Sequence, residues 1–210
     1  MIRVVLFDVD GVLLDSFDAN TKFFQELIKN SGYKKPPKNE LANIFHANML
    51  DTIRLLTKEK SEEKITEIWK KGHTFPYPNG LLKMPADSLG TIKKLKQKYK
   101  LGIVTNRIER GINIFFEVSK MREYFDTVIM YEDTEKHKPE PEPLLLAAKR
   151  MKVKPSEAVY IGDGISDMIA AKAAGMKYIH YSKTKVKGAD LQVKSFRNIL
   201  SAIQRLDVKK

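Results

Sequence analysis

Two carboxylates one residue apart, Asp8 and Asp10, close an apolar run, Val4-Val5-Leu6-Phe7, and Gly11 follows at once. Burying one unpaired carboxylate is costly. Two within reach of each other repel unless a cation sits between them. The pair therefore points to a divalent metal site. Other polar residues also follow apolar runs. Thr105 and Asn106 come after Ile103-Val104, and Lys138 lies in Lys136-His137-Lys138-Pro139-Glu140-Pro141. Asp163 and Asp167 belong to Tyr160-Ile161-Gly162-Asp163-Gly164-Ile165-Ser166-Asp167. Together they suit phosphoryl transfer. Oxygen-only carboxylate ligands favour magnesium over zinc, and magnesium would offset the carboxylate repulsion and neutralise phosphate oxygens. A lysine adds a point positive charge. A hydroxyl and backbone N–H groups hold phosphate oxygens. One carboxylate can be the nucleophile, forming an acyl phosphate, and a second can shuttle the proton.

Each residue alone has a plainer reading. Asp8 and Asp10 could cap a turn, Thr105 could be a strand residue, and Asn106 could start a helix. Lys138 could be a surface lysine, Asp163 a turn residue between glycines, and Asp167 a helix N-terminal acid. Ligands of open parallel sheets bind beyond the carboxyl ends of the strands. Placement of all these residues after successive strands weighs against the plainer readings together. His46, His73, His137 and His180 show no paired metal spacing and read as ordinary.

The elements that must position these residues are legible as short buried strands near 3–7, 101–104, 127–130, 158–161 and 177–180. Apolar runs of this length, alternating with amphipathic helices, indicate a parallel α/β sheet. One helix is expected near 88–99, with Leu89, Ile92, Leu95 and Tyr99 on its apolar face. Another is expected near 166–174, with Gly175 as its C-cap. The first two strands stand too far apart for one crossover. Between them lie helical patterns only: Phe23, Phe24, Leu27 and Ile28, ended by Ser31-Gly32; then Leu41, Ile44 and Phe45. Ser61 follows as an N-cap before Glu62 and Glu63, leading to Ile65, Ile68 and Trp69, with Gly72 closing that helix. Phe75-Pro76-Tyr77-Pro78-Asn79-Gly80 is a turn-rich return. The expected organisation is an α/β core, 1–14 and 80–210, interrupted by a small helical insert, 15–79.

A chain of 210 residues allows one medium domain, or a larger one with an insert. With 42% hydrophobic and 30% charged residues, a packed core is expected and disorder is not. No cysteine is present, which excludes disulfides, thiolate metal sites and a cysteine nucleophile. The first strand carries a carboxylate pair, so no signal peptide is expected there. No apolar run approaches the ~18 residues of a membrane span. A soluble, cytoplasmic protein is expected. The net charge of +12 raises the question of nucleic acid. The lysines are scattered (Lys93, Lys94, Lys96, Lys98; Lys183, Lys185, Lys187) without interleaved aromatic platforms. A solvated surface is the reading preferred here.

These segments resemble the haloacid dehalogenase-like superfamily. The resemblance covers about 1–16 and 75–181, with four motifs in order: DVDGVLLDS, IVTN, HKPEPEP and IGDGISD. FPYPNG, YFDTVIM and KPEPEPLLLAAKRM further resemble its phosphoglycolate phosphatase-like and β-phosphoglucomutase-like branch, where a helical cap follows the first motif. The resemblance implies a three-layer, Rossmann-like core with a parallel sheet and a cap domain. It implies Asp8 as nucleophile and Asp10 as general acid and base. Magnesium would be held by Asp8, the Asp10 carbonyl and Asp163, with Asp167 acting through water. Thr105 and the Asn106 backbone would bind phosphate, and Lys138 would steady Asp8 and the transferring phosphoryl.

Founding dehalogenases lack the second aspartate, so Asp10 argues for phosphate chemistry. The implied activity is a magnesium-dependent phosphatase for a small metabolite such as 2-phosphoglycolate, acting through an aspartyl-phosphate. β-Phosphoglucomutase-type transfer and pyrophosphatase are the nearest alternatives. A phospho-accepting receiver module and a nucleic-acid-binding protein are the alternatives from other classes. The implied partner is a small phosphorylated metabolite, without a membrane, for a monomer or homodimer. Departures fall at PYPNG, with one inserted residue, and at the long LLKMPADSLG. The stretch matching the branch's substrate-selecting cap loop is His46-Ala47-Asn48-Met49-Leu50-Asp51-Thr52, with Arg54 behind it, unless it is an ordinary inter-helix loop.

Overall fold

A computed structural model describes residues 1–208. The chain forms two compact units, one of Met1–Leu14 with the chain from Met84 onward, the other Asp15–Lys83. Strand β1 (Val4–Phe7) opens the first unit. The second unit follows as four helices: α1 (Phe17–Asn30), α2 (Lys38–Asn43), α3 (Met49–Thr57) and α4 (Glu62–Thr74). The first unit then resumes with α5 (Ser88–Lys96), β2 (Lys100–Val104), α6 (Glu109–Ser119) and β3 (Thr127–Ile129). It ends with α7 (Glu142–Met151), β4 (Ala158–Gly162), α8 (Ile165–Ala173), β5 (Lys177–Tyr181), β6 (Leu191–Val193) and α9 (Ile199–Val208).

The sheet runs β3-β2-β1-β4-β5-β6, and every neighbouring pair is parallel. β1 is central, and all four of its residues are buried, which is why it reads as an unbroken apolar run. Successive side chains point to opposite faces. Val4 and Leu6 join Leu144, Ala147, Ala170 and Ala171 of α7 and α8 in one core. Phe7 meets Phe125 edge-on and stacks on Phe196, each at 6.4 Å, on the other face. This is the three-layer α/β core that the motifs imply. Phe7 is in register with both Ile103 and Ile161, so three strands end at one level. The chain order reverses around β1. Such a switch point is where open parallel sheets bind ligands.

Three local expectations change. A sixth strand, Leu191–Val193, extends the edge; with three residues it is too short for periodicity to mark. Helix α5 stops at Lys96, short of Tyr99. Helix α4 does not close at Gly72 but continues to Thr74. Gly72 instead permits close packing, since a Cβ there would stand 3.1 Å from Met49 Sδ and 3.3 Å from Leu27 Cδ2. Ser61 caps α4 as expected, its Oγ accepting the Lys64 N–H. Among the described residues, no helix is long and apolar enough to cross a membrane.

Candidate active site

The central strands end in a buried knot of charge. Asp8 follows β1, its backbone N–H still bonded to the Ile161 carbonyl at 2.9 Å. Its Oδ1 accepts the Val9 N–H at 2.8 Å and lies 3.0 Å from Lys138 Nζ. Lys138 Nζ also donates to Asp167 Oδ1 at 2.7 Å and to the Tyr160 hydroxyl at 2.8 Å. The Lys138 and Asp167 side chains are each 2% exposed. The lysine's desolvation is therefore balanced by two carboxylates and a phenol. These carboxylates hold it charged, its pKa pushed up despite burial.

Asp167 serves two sides at once. Its Oδ1 takes Lys138 and the Tyr160 O–H, while Oδ2 accepts the N–H groups of Asp163 (3.2 Å) and Gly164 (3.0 Å), capping α8. Asp163 follows β4 beside it. One carboxylate oxygen from each of Asp8, Asp163 and Asp167 fits within a 4.8 Å group. Burial, then the neighbouring carboxylates, push Asp163 up to about 9. Burial also pushes Asp8 up to about 7, with Lys138 pulling against it. Such a set, all oxygen and short of positive charge, fits a hard divalent cation. Gly11 is required here on two counts. Its φ is +71°, and a Cβ on it would lie 1.7 Å from Asp163 Oδ2.

A stability test follows from these shifts. A carboxyl with a raised folded-state pKa loses its contribution as pH climbs from the ordinary value towards the raised one. For Asp163 that window runs from 3.8 to about 9, and for Asp8 from 3.8 to about 7. The metal-free protein is expected to melt at a lower temperature near pH 8.5 than near pH 5.5, with magnesium raising the melting temperature more at the higher pH. Scanning calorimetry with and without magnesium checks this; an equal magnesium effect at both pH values would contradict it.

Thr105 follows β2, buried, with its N–H on the Ile129 carbonyl. Its Oγ1 accepts the Arg107 N–H at 3.3 Å. Asn106 Nδ2 donates to the Lys138 carbonyl at 3.3 Å, tying the loop after β2 to the lysine's loop. Asp10 stands apart from the lysine cluster. The Arg107 guanidinium grips it with two bonds, Nε to Oδ2 at 2.7 Å and Nη2 to Oδ1 at 2.8 Å.

The structure thus gathers Asp8, Asp163, Asp167 and Lys138 into one cluster, with Thr105, Asn106 and Asp10 on the neighbouring strand-end loops. Arg107 and Tyr160 escape sequence reasoning. The only signal for Arg107 is its place two residues beyond Thr105, and Tyr160 reads as plain strand core. In the helical unit, Asn48 and Asp51 bond each other in the first turn of α3, and Arg54 Nη2 lies 2.7 Å from Glu62 Oε2.

The family model described as haloacid dehalogenase-like hydrolase matches residues 5–181. A curated relative, pyrophosphatase PpaX of Bacillus cereus, is 30% identical over 177 residues, covering 84% of this chain and 81% of that protein. A HAD-superfamily hydrolase of subfamily IA, variant 1, from Geobacter sulfurreducens superimposes with a TM-score of 0.73 at 25% identity, covering 96% of each chain. A β-phosphoglucomutase from Clostridium difficile gives a TM-score of 0.84 at 19% identity, covering 98% of this chain and 96% of its own. That last likeness is one of fold.

Proposed function

The chain belongs to the haloacid dehalogenase-like hydrolases, and on that premise we propose that it is a magnesium-dependent phosphatase working through an aspartyl-phosphate on Asp8. One observation carries the reading: a buried lysine, 3.0 Å from Asp8 and 2.7 Å from Asp167, at the sheet's switch point beside Asp163. Asp8, Asp163 and the Asp10 carbonyl are the proposed holders of magnesium, and Asp167 is proposed to act on it through water. When bound, magnesium would neutralise phosphate oxygens and relieve carboxylate repulsion.

The chain's own residues then divide the work. The Val9 N–H and Lys138 both engage Asp8 Oδ1 and fix the carboxylate's plane, leaving Oδ2 to attack phosphorus. As the new bond forms, the bond from phosphorus to the leaving oxygen breaks. Asp10 gives that oxygen its proton. Thr105 Oγ1, the Asn106 N–H and Lys138 hold the remaining phosphoryl oxygens. Asp10 next takes a proton from water, whose oxygen attacks phosphorus. The bond between phosphorus and Asp8 breaks, and inorganic phosphate leaves with the carboxylate restored.

The substrate is proposed to be a small phosphorylated metabolite. The helical unit Asp15–Lys83 is proposed as the cap, with residues 46–52 and Arg54 as its selecting stretch. Pyrophosphate is a second reading, favoured by the 30% identity to a pyrophosphatase. A panel of phosphate esters, pyrophosphate and a sugar phosphate, assayed across magnesium concentrations, tests the proposal. Magnesium-dependent release of phosphate is expected. A folded protein that releases none from any member would contradict it.

A further inference from the structure

Arg107 has no place in the scheme above, yet it makes the most specific contact of the site. Its guanidinium meets both oxygens of Asp10, and Nη1 donates to the Gly111 carbonyl at 3.2 Å. The Arg107 side chain is 8% exposed and that of Asp10 is 21% exposed. Two parallel N–H···O bonds make the strongest arrangement that a guanidinium and a carboxylate adopt. Partial burial spares them much of the solvent screening that weakens surface pairs. The berth is shaped for the arginine: a Cβ on Gly111 would stand 3.2 Å from Nη1.

The fork has a chemical consequence. While it stands, each Asp10 oxygen faces a nitrogen donor. Each oxygen keeps a second lone pair, but the fork fixes the carboxylate's plane against Arg107, so neither can turn toward a leaving oxygen or a water without giving up one of these bonds. Pulling Arg107 into water would forfeit two charge-assisted bonds. Giving it another anion would replace them. With the transferring phosphoryl group assigned above to Thr105, Asn106 and Lys138, a second anionic group of the substrate is left as the replacement.

We propose that Arg107 is a substrate-operated latch on Asp10, released when a second anionic group of the substrate takes the guanidinium. This rests on the phosphatase reading and narrows it. The preferred substrates are phosphate esters or anhydrides with a carboxylate or further phosphoryl group close to the leaving oxygen. Arg107 is thus a positioning residue for Asp10 and the reader of the second charge.

Matched substrates test it. 2-Phosphoglycolate pairs with 2-hydroxyethyl phosphate, and 3-phosphoglycerate with glycerol 3-phosphate; each pair differs by one carboxylate. Pyrophosphate serves as the phosphoryl arm. The wild-type protein is expected to favour the acidic members by about tenfold or more in kcat/KM, the worth of one charged hydrogen-bonding contact. In Arg107→Met, kcat/KM is expected to fall about tenfold on acidic substrates and to rise severalfold on neutral ones. Arg107→Lys, with charge but no fork, is expected to fall between. An equal loss on both members of a pair, with folding intact by calorimetry, would mean that Arg107 merely supports the loop and would overturn the latch. So would an unchanged preference. If the wild type hydrolyses neither member of any pair nor pyrophosphate, the phosphatase reading fails and the latch with it. If it hydrolyses them and the variant leaves their ratio alone, the latch alone fails.

Discussion

Asp8→Asn is expected to lower magnesium-dependent phosphate release by on the order of 10⁴-fold or more, because it removes the proposed nucleophile and leaves an amide that cannot form the acyl phosphate. The fold should tolerate the change. Asparagine has nearly the same volume, and its Oδ1 can still accept the Val9 N–H that Asp8 accepts at 2.8 Å. Lys138 keeps its 2.7 Å contact with Asp167 and its bond to the Tyr160 hydroxyl, so no cation is left buried alone. Burial pushes the Asp8 carboxyl up to about 7, so its replacement removes a group that resists ionisation. At about pH 8 without magnesium, the variant is expected to melt at the same temperature as the wild type or higher. Steady-state assays and calorimetry check the two halves separately. Near-normal turnover in a folded Asp8→Asn protein would exclude Asp8 as nucleophile.

Lys138→Met has the opposite profile, damaging stability and activity together. Lys138 is the cation between Asp8 and Asp167, and methionine keeps an unbranched stem as far as Cε without the charged Nζ. Removing one partner of a buried ion pair leaves the others uncompensated, at a cost of about 3–5 kcal/mol. The Tyr160 hydroxyl loses a donor at the same time. Turnover should fall by at least about 10²-fold, since the positive charge beside the proposed attacking oxygen and phosphoryl is gone. Magnesium should recover part of the lost stability by supplying charge to the same carboxylates, but not the turnover. Denaturant unfolding with and without magnesium measures this. A stability loss below about 1 kcal/mol, the range of a surface pair, would mean that the lysine is not the central counter-charge.

The parts of this architecture legible in sequence share one cause. Central parallel strands are buried on both faces, so Val4–Phe7, Lys100–Val104 and Ala158–Gly162 carry nearly continuous apolar runs. The polar residues just beyond them stand out against that background, which marks Asp8, Thr105 and Asp163. What stayed hidden depends on pairing across the fold. Arg107 and Asp10 are 97 residues apart, and an arginine near a helix start looks like any surface residue until its partner is known. Tyr160 looks like core because its ring is core; its hydroxyl alone reaches Lys138, Val104 and Asp167. Asp167 reads as a helix N-terminal acid, and Oδ2 does cap α8, yet Oδ1 holds the lysine. Gly72 reads as a helix stop because glycine is flexible, but here its missing side chain admits Met49 and Leu27.

The central claim is a covalent phosphate on Asp8, and trapping it is the most direct test. The protein would be mixed with magnesium and radiolabelled substrate, quenched in acid within milliseconds, and digested for peptide mapping. Asp10→Asn, which lacks the proposed base for the second step, should accumulate the species when the leaving group is good enough to depart without an acid. The prediction is one phosphoryl group on the peptide that carries Asp8, labile to hydroxylamine as an acyl phosphate is, and absent from Asp8→Asn. Turnover with no labelled peptide at any quench time, or a label on a different residue, would contradict the account.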